Sequence, residues 1–353
     1  MRQNQLPLLI SGPCSAETRE QVLATAEALV GLPLSYFRSG IWKPRTQPGA
    51  FEGIGEIGLK WLQEVRETFG FKICTEVATA EHVQLAKKYK LDMVWIGARS
   101  TVNPFTVQEL AEALQDSGIP VMVKNPVNPD LKLWIGAIER LQRHNVKVLG
   151  AIHRGFSVYE KTNYRNNPHW QIAIDLKQEH PGLKLIMDPS HIGGRADLIQ
   201  PLAQQALDLN YDGLMIESHA DPTSAWTDAK QQITPQRLKE IYSALEPRNP
   251  GTIQANALSK FREQLSFIDE SLISLLQQRM AISKEIGIHK RQHNQHILQA
   301  QRWEETFKAN VEKAVQSGLS EEFAKQMIKM LHEESLRIQM AVNSLPDNEN
   351  QGQ

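Results

Sequence analysis

Eight short apolar runs, each followed by an amphipathic stretch, occupy the first 246 of 353 residues and constrain the fold more than any other feature. The runs lie at 8–11, 34–37, 71–74, 93–96, 119–123, 146–152, 183–187 and 213–216. Val, Ile and Leu dominate them, as strands covered on both faces require. Between them, segments such as 22–29, 59–69, 107–114 and 238–245 carry apolar residues at helical spacing. Strand–helix pairs in this series predict an α/β fold, a (β/α)8 TIM barrel over 1–246. A doubly wound sheet would carry a glycine-rich turn after its first strand, and Ser11-Gly12-Pro13-Cys14 is not one.

The Pro- and Gly-containing stretch 247–257 lacks periodicity and reads as a linker. From 258 to 343 only helical patterning remains, which predicts an all-α domain. One long helix is expected over 258–293, a second around 302–315, and a third after Ser320, an N-cap followed by Glu321 and Glu322. The polar tail 344–353 is expected to be disordered. Near the start, the longest apolar run covers only 6–10, too short for a signal sequence or a membrane span. Two cysteines exclude a disulfide framework, so the expected compartment is cytoplasmic. A net charge of -1 gives no global attraction for nucleic acid or an anionic membrane.

In a barrel of this kind the C-terminal strand ends form the active-site face. Here they carry Cys14; Arg38, Lys43 and Arg45; Glu76; Arg99; Lys124; His153 and Arg154; Asp188 and His191; and Glu217 and His219. The cations Lys43, Arg45, Arg99, Lys124 and Arg154 would repel one another at one mouth unless anions joined them, which suits substrates with phosphate and carboxylate groups. Cys14, His191, Glu217 and Asp228 offer a soft thiolate, an imidazole and hard oxygens. That mixture suits a divalent transition metal of the Mn, Fe, Co or Zn type with an open position. An isolated Cys is more often a small buried hydrophobe. Cys74, inside a run, keeps that reading, whereas Cys14 lies beside Pro13 at a strand end.

On the long helix, Leu258, Leu265, Leu272 and Ile286 share one heptad position, and Phe261, Ile268, Leu275 and Ile282 the other. Arg279 falls on the first seam, and Lys290 lies about three turns further on nearly the same face. Arg262 points elsewhere, so one helix does not bring all three cations to one ligand; a second copy would. Ser335 and Gln339 sit one turn apart on the last helix. Such a pocket wants a compact dianion and offers no nucleophile, which favours catalysis by positioning and electrostatics.

Gly12-Pro13-Cys14-Ser15, Lys43-Pro44-Arg45-Thr46, Gly97-Ala98-Arg99, Val123-Lys124-Asn125-Pro126, Arg154-Gly155 and Asp188-Pro189-Ser190-His191 follow one another in this order. Together they resemble the 3-deoxy-D-arabino-heptulosonate-7-phosphate (DAHP) synthases of the type related to 3-deoxy-D-manno-octulosonate-8-phosphate synthase. The resemblance, over about residues 5 to 245, implies condensation of phosphoenolpyruvate with erythrose 4-phosphate. It implies that Arg99, Lys124, Arg154 and Lys43 hold phosphoenolpyruvate, with Lys124 also a candidate for moving a proton. Pro44-Arg45-Thr46 would meet the aldose phosphate, with Arg38 nearby, and Cys14, His191, Glu217 and Asp228 would ligate the metal. The sequence departs from the family at Thr227-Asp228-Ala229, where Ser-Asp-Gly is usual, and at Ile152-His153.

Leu258-Ser259, Arg262, Asp269, Leu275-Leu276, Arg279, Ile286-Gly287, Lys290, Arg302, Gly318-Leu319-Ser320, Ser335 and Gln339 resemble an all-helical chorismate mutase of the intertwined-dimer type. This implies a homodimer through the helical domain. Arg279, with Arg262 of the partner chain, would hold the carboxylates of chorismate. Lys290 and Gln339 would donate to its ether oxygen, and Arg302 and Ser335 would complete the pocket. Gln299 and Trp303 stand where some relatives have acidic residues. Both reactions belong to aromatic amino-acid biosynthesis, and their fusion suggests allosteric feedback on the barrel. The alternative is a barrel acting on another sugar phosphate, with the helical domain a non-catalytic dimerising or ligand-sensing module.

Overall fold

Parallel strands with no hairpins between them must be linked by crossovers, and helices supply every one. The computed structural model describes residues 7–43, 49, 51–159, 162–248 and 255–344. Its strands are β1 (Leu8–Gly12), β2 (Leu34–Arg38), β3 (Ile73–Val77), β4 (Met93–Ile96), β5 (Val121–Lys124), β6 (Val148–His153), β7 (Lys184–Met187) and β8 (Gly213–Glu217). They pair in sequence order, and β8 pairs back to β1 to close the barrel. The barrel expectation therefore holds. β3 begins and ends later than the apolar run 71–74, because Phe71 leads into the strand, stacked on Phe37, and the charged Glu76 lies within it.

Helices begin ahead of their apolar spans because caps, not hydrophobic spacing, start them. Thr18 accepts from the Gln21 amide, Asn103 from Phe105 and Thr234 from Arg237, opening Arg19–Ala28, Pro104–Leu114 and Pro235–Ala244. Each helix buries one face against the barrel. Within the strands, side chains divide by parity. Ile10, Cys74, Met93, Trp95, Met122, Ile152, Ile186 and Met215 fill the barrel interior. Leu9, Phe37, Ile73, Val94, Val123, Ala151, Met187 and Leu214 pack outward in the cluster that also contains the helices. Cys74 is a core residue, as expected. Gly12 is required where β1 meets β2: its φ is 146°, and a Cβ there would lie 2.1 Å from the Arg38 carbonyl oxygen.

By contact the chain divides into two compact units, Met1–Pro250 and Gly251–Gln353. The second contains the helices Ala255–Gln292, Ala300–Gln316 and Glu321–Asn343. Ser320 is the N-cap of the last, accepting from the Phe323 amide, and Ser344 is its C-cap. The linker proposed at 247–257 straddles the division. Pro44, Arg45 and Thr46 lie outside the described residues, as do 249–254 and the tail beyond Ser344.

Candidate active sites

The parity that builds the barrel core also sorts its chemistry. Two residues beyond an interior core position the chain still points inward, now at the C-terminal mouth. Tyr36 is followed in this way by Arg38, Cys74 by Glu76, Met122 by Lys124, Ile152 by Arg154, Ile186 by Asp188, and Met215 by Glu217. The mouth holds a cavity of about 110 Å³ lined by the cations Arg38, Lys43, Arg99, Lys124, Arg154 and Arg165. Cys14, Glu76, His191, Glu217 and Asp228 line it too.

Asp188, fully buried behind the cavity, organises it. Its Oδ2 lies 3.0 Å from Lys124 Nζ and 2.8 Å from His191 Nδ1. Its Oδ1 accepts from the His191 amide at 3.1 Å, capping the short helix Pro189–Gly193. Burial alone would raise the Asp188 pKa, but His191 and Lys124 reverse this and hold it well below the usual carboxylate range. Arg38 lies 3.3 Å from Glu217 Oε1, donates to the Cys14 carbonyl oxygen at 3.2 Å and sits over the Trp95 ring. Arg154 is braced by Asn125, whose Oδ1 accepts from its amide at 2.7 Å, and by Asn166, whose Oδ1 accepts from its guanidinium at 2.6 Å. Burial pushes the Arg154 pKa down to about 10. An anion beside it would reverse that penalty.

The four proposed metal donors line this one cavity, and their state bears on what they could hold. Glu217 Oε1 is buried without a hydrogen-bond partner, 3.8 Å from His191 Nε2. The Cys14 thiol lies 3.2 Å from Asp228 Oδ2. Lys43 Nζ stands 2.7 Å from Cys14 Sγ and 3.7 Å from Asp228 Oδ2. Burial, then the Glu217 charge, pushes the thiol up to about 12. Among the described residues no three His, Cys, Asp or Glu side chains converge as a ready-made metal cluster. A cation-seeking set is nevertheless present: an orphaned carboxylate oxygen, a thiol and a second carboxylate, with an ammonium against the last two. Its donor types fit a divalent transition ion.

Reading the sequence missed Arg165, Asn166 and Gln231. Arg165 donates to Asp228 Oδ1 at 2.8 Å and to Gln231 Oε1 at 2.5 Å. None of the three stands at a strand end. Arg165-Asn166-Asn167 was the available signal, a cation beside two amides in a connection rich in turn formers.

In the helical unit Arg279 donates to Ser335 Oγ at 2.6 Å and to the Leu331 carbonyl oxygen at 2.9 Å. Lys290 donates to Gln339 Oε1 at 3.1 Å and to the Ile297 carbonyl oxygen at 2.5 Å. Four of the six expected residues therefore meet between the long helix and the last one. Gly287 lets these helices approach, since a Cβ there would lie 3.1 Å from the Gln339 Cα. Burial, then the charge of Arg302, lowers the Lys290 pKa. Arg262 belongs to a different surface, with Ser259, Glu263 and Glu270. Arg279 is exposed in the single chain although its guanidinium is engaged. Trp303 stacks on His332 with ring centroids 3.6 Å apart, so it serves packing.

Residues 2–249 match the model of the DAHP synthetase I family. The chain belongs to that family. Residues 261–340 match chorismate mutase type II. A phospho-2-dehydro-3-deoxyheptonate aldolase of Thermotoga maritima is 31% identical over 239 residues, covering 67% of this chain and 68% of that protein. A crystal structure of the Thermotoga maritima DAHP synthase aligns with a TM-score of 0.62 at 30% identity, over 68% of each chain. A Campylobacter jejuni 2-dehydro-3-deoxyphosphooctonate aldolase is 26% identical, covering 67% of this chain and 94% of that protein. With both regions present, the chain is a bifunctional enzyme of the aromatic amino-acid pathway, a DAHP synthase fused to a chorismate mutase.

Two strand-end histidines of the synthase region stay outside the cavity lining. His219 is buried, 3.6 Å from Glu17. His153, one residue before the inward Arg154, faces the helices, ringed by Trp134, Phe156, Trp170 and Tyr211. Its Nε2 lies 2.6 Å from the Pro168 carbonyl oxygen, which can only accept, so Nε2 carries the proton. Nδ1 then accepts from the Tyr211 hydroxyl at 2.7 Å. His153 thus anchors the strand end to the segment that carries Arg165 and Asn166. Burial pushes its pKa down to about 4. Below its unfolded pKa of about 6.5 the unfolded chain takes a proton that the native state refuses, so stability falls towards about pH 4. The melting-temperature penalty of His153→Phe should therefore shrink from pH 7 to pH 5. A penalty independent of pH would show that His153 is not held neutral.

Proposed function

We propose that the barrel mouth binds phosphoenolpyruvate through Arg99, Lys124 and Arg154, with Lys43 and Arg38 beside it, and condenses it with erythrose 4-phosphate. The observation that carries this reading is the gathering of these cations in one cavity next to Cys14, His191, Glu217 and Asp228. Protein carboxylates already face Lys124, Arg38, Lys43 and Arg165, whereas Arg154 is held by amides and a backbone carbonyl and is open to an anion, and phosphate and carboxylate groups match guanidinium geometry. Asp188 holds Lys124 against its carboxylate, so the ammonium is fixed in place as a donor and as the candidate proton carrier. Asn125 and Asn166 fix Arg154 in the same way, which removes reorganisation cost when the anion arrives. Cys14, His191, Glu217 and Asp228 would hold a divalent metal, Mn, Fe, Co or Zn, which supplies Lewis-acid polarisation of the aldehyde oxygen. The stretch Lys43-Pro44-Arg45-Thr46 favours the four-carbon aldose phosphate, because the sister enzymes on arabinose 5-phosphate carry an Asn-rich stretch there.

For the helical unit, Arg279 and Lys290 face Ser335 and Gln339 as chorismate would need, with Arg302 near. Arg279 would hold a carboxylate, and Lys290 and Gln339 would donate to the ether oxygen as negative charge builds there. Arg262 would come from the second chain of a homodimer. Leu265, Leu272, Ile268, Leu275 and Ile282 are all more than half exposed in the single chain, an apolar seam that a second copy would cover. No helix of the described residues is long and apolar enough to cross a membrane. The expected compartment remains the cytoplasm, with no nucleic-acid partner.

A phosphoenolpyruvate-consumption assay should show turnover with erythrose 4-phosphate and not with arabinose 5-phosphate, and a chelator should abolish it. Equal turnover with the five-carbon sugar, or indifference to the chelator, would reject the substrate or the metal. Prephenate or chorismate added to this assay should slow it if the fused unit feeds back on the barrel; an unchanged rate and affinity would reject that coupling. In a chorismate-decay assay Arg279→Ala should lose about 100-fold or more in rate. An active variant would leave the helical unit as a dimerising or sensing module. Sedimentation should give a dimer mass, and a monomer that retained mutase activity would contradict the shared site.

A further inference from the structure

Beside the barrel cavity, Gln231 is only 1% exposed, and both ends of its amide are engaged. Nε2 donates to Glu217 Oε2 at 2.6 Å, and Oε1 accepts from Arg165 at 2.5 Å. A carboxylate can only accept and a guanidinium can only donate, so this amide has one permitted orientation. Arg165 also donates to Asp228 Oδ1 at 2.8 Å. Gln231 and Asp228 are joined through the backbone as well. The Gln231 amide donates to the Asp228 carbonyl oxygen at 3.1 Å, across a turn in which Asp228 has a φ of 51°.

The bridge therefore ties one oxygen of each carboxylate and sets the direction of the other, which faces the Cys14 and His191 side. Glu217 Oε1 is buried without a hydrogen-bond partner, 3.3 Å from the Arg38 guanidinium and 3.8 Å from His191 Nε2. Asp228 Oδ2 accepts from the Cys14 thiol at 3.2 Å, with Lys43 Nζ 3.7 Å away. A terminal carboxylate torsion is broad and soft when unrestrained, so tying one oxygen decides where the second points. Arg165 is itself held by packing: Gly194, directly after the helix that carries His191, leaves room for its side chain, and a Cβ there would lie 2.5 Å from the Arg165 Cβ.

We propose that Gln231, locked by Arg165, is a positioning residue that presents Glu217 and Asp228 as single-oxygen donors to one divalent cation. The proposal rests on the donor set proposed above and adds to it the device that orients two of its four members. Partners of metal ligands typically contribute about 10- to 100-fold to metal affinity.

The test is titration of Mn²⁺ and Co²⁺ into metal-free full-length protein in competition with a chromophoric chelator, with metal-free melting temperatures measured in parallel. Parent protein should bind Co²⁺ with a thiolate charge-transfer band that Cys14→Ser removes. A parent without that band would overturn the donor set itself, and the positioning proposal with it. Given the band, Gln231→Met should weaken binding about 10- to 100-fold, with the metal-free melting temperature unchanged. Arg165→Met separates positioning from charge, since losing a positive charge alone would tighten binding, whereas positioning predicts weakening. Its side chain is half exposed, so it keeps the test available if Gln231→Met lowers the metal-free melting temperature. Parent-like affinity in Gln231→Met, or in Arg165→Met where Gln231→Met is destabilised, would overturn the proposal. So would tightening in Arg165→Met.

Discussion

One buried carboxylate, Asp188, ties the barrel's structure to its chemistry. Its two oxygens engage Lys124 from β5 and both the amide and the ring of His191. Lys124 and Asp188 are almost fully buried, so removing Asp188 would leave the Lys124 ammonium without its carboxylate, at a cost of about 3–5 kcal/mol. The cavity beyond carries six Lys or Arg side chains against the carboxylates Glu76, Glu217 and Asp228. With Asp188 behind it, six cations face four carboxylates, an excess of positive charge that favours anionic ligands.

Much of this was legible in the sequence because barrel geometry turns position into direction. Arg38, Lys124, Arg154, Asp188 and Glu217 each follow an interior core residue by two, and a short apolar run ending in a charge announces that pattern. The same rule explains His153. It was grouped with the loaded strand ends, but, one residue after the inward Ile152, it turns outward into an aromatic shell, where a neutral imidazole braces the chain. Arg165, Asn166 and Gln231 were not legible, since residues in connecting segments have no period from which to read a direction. Their meaning depends on contacts between segments far apart in sequence, such as Gln231 with Glu217 and Arg165 with Asp228. β3 was displaced for a related reason: Glu76, a charged residue inside a strand, looked like the end of one.

The helical unit follows a different logic. Its helices were foreseeable from spacing and from the Ser320 cap, and the face bearing Arg279, Ser283, Gly287 and Lys290 packs on the helix that bears Ser335 and Gln339. Arg262, seventeen residues before Arg279, cannot join them along one helix, since that separation is about 25 Å of rise. On the proposed reading Arg262 would reach that site only from a second copy, which would also cover the exposed apolar seam.

The central claim is that cations dispersed along the synthase region hold one phosphoenolpyruvate beside a metal. A crystal structure of the full chain soaked with phosphoenolpyruvate and Mn²⁺ tests it most directly. The account predicts the phosphate enclosed by Arg99, Lys124 and Arg154, with an anomalous manganese peak bounded by Cys14, His191, Glu217 and Asp228. Phosphoenolpyruvate bound away from those three cations, or manganese seated on other ligands, would contradict it.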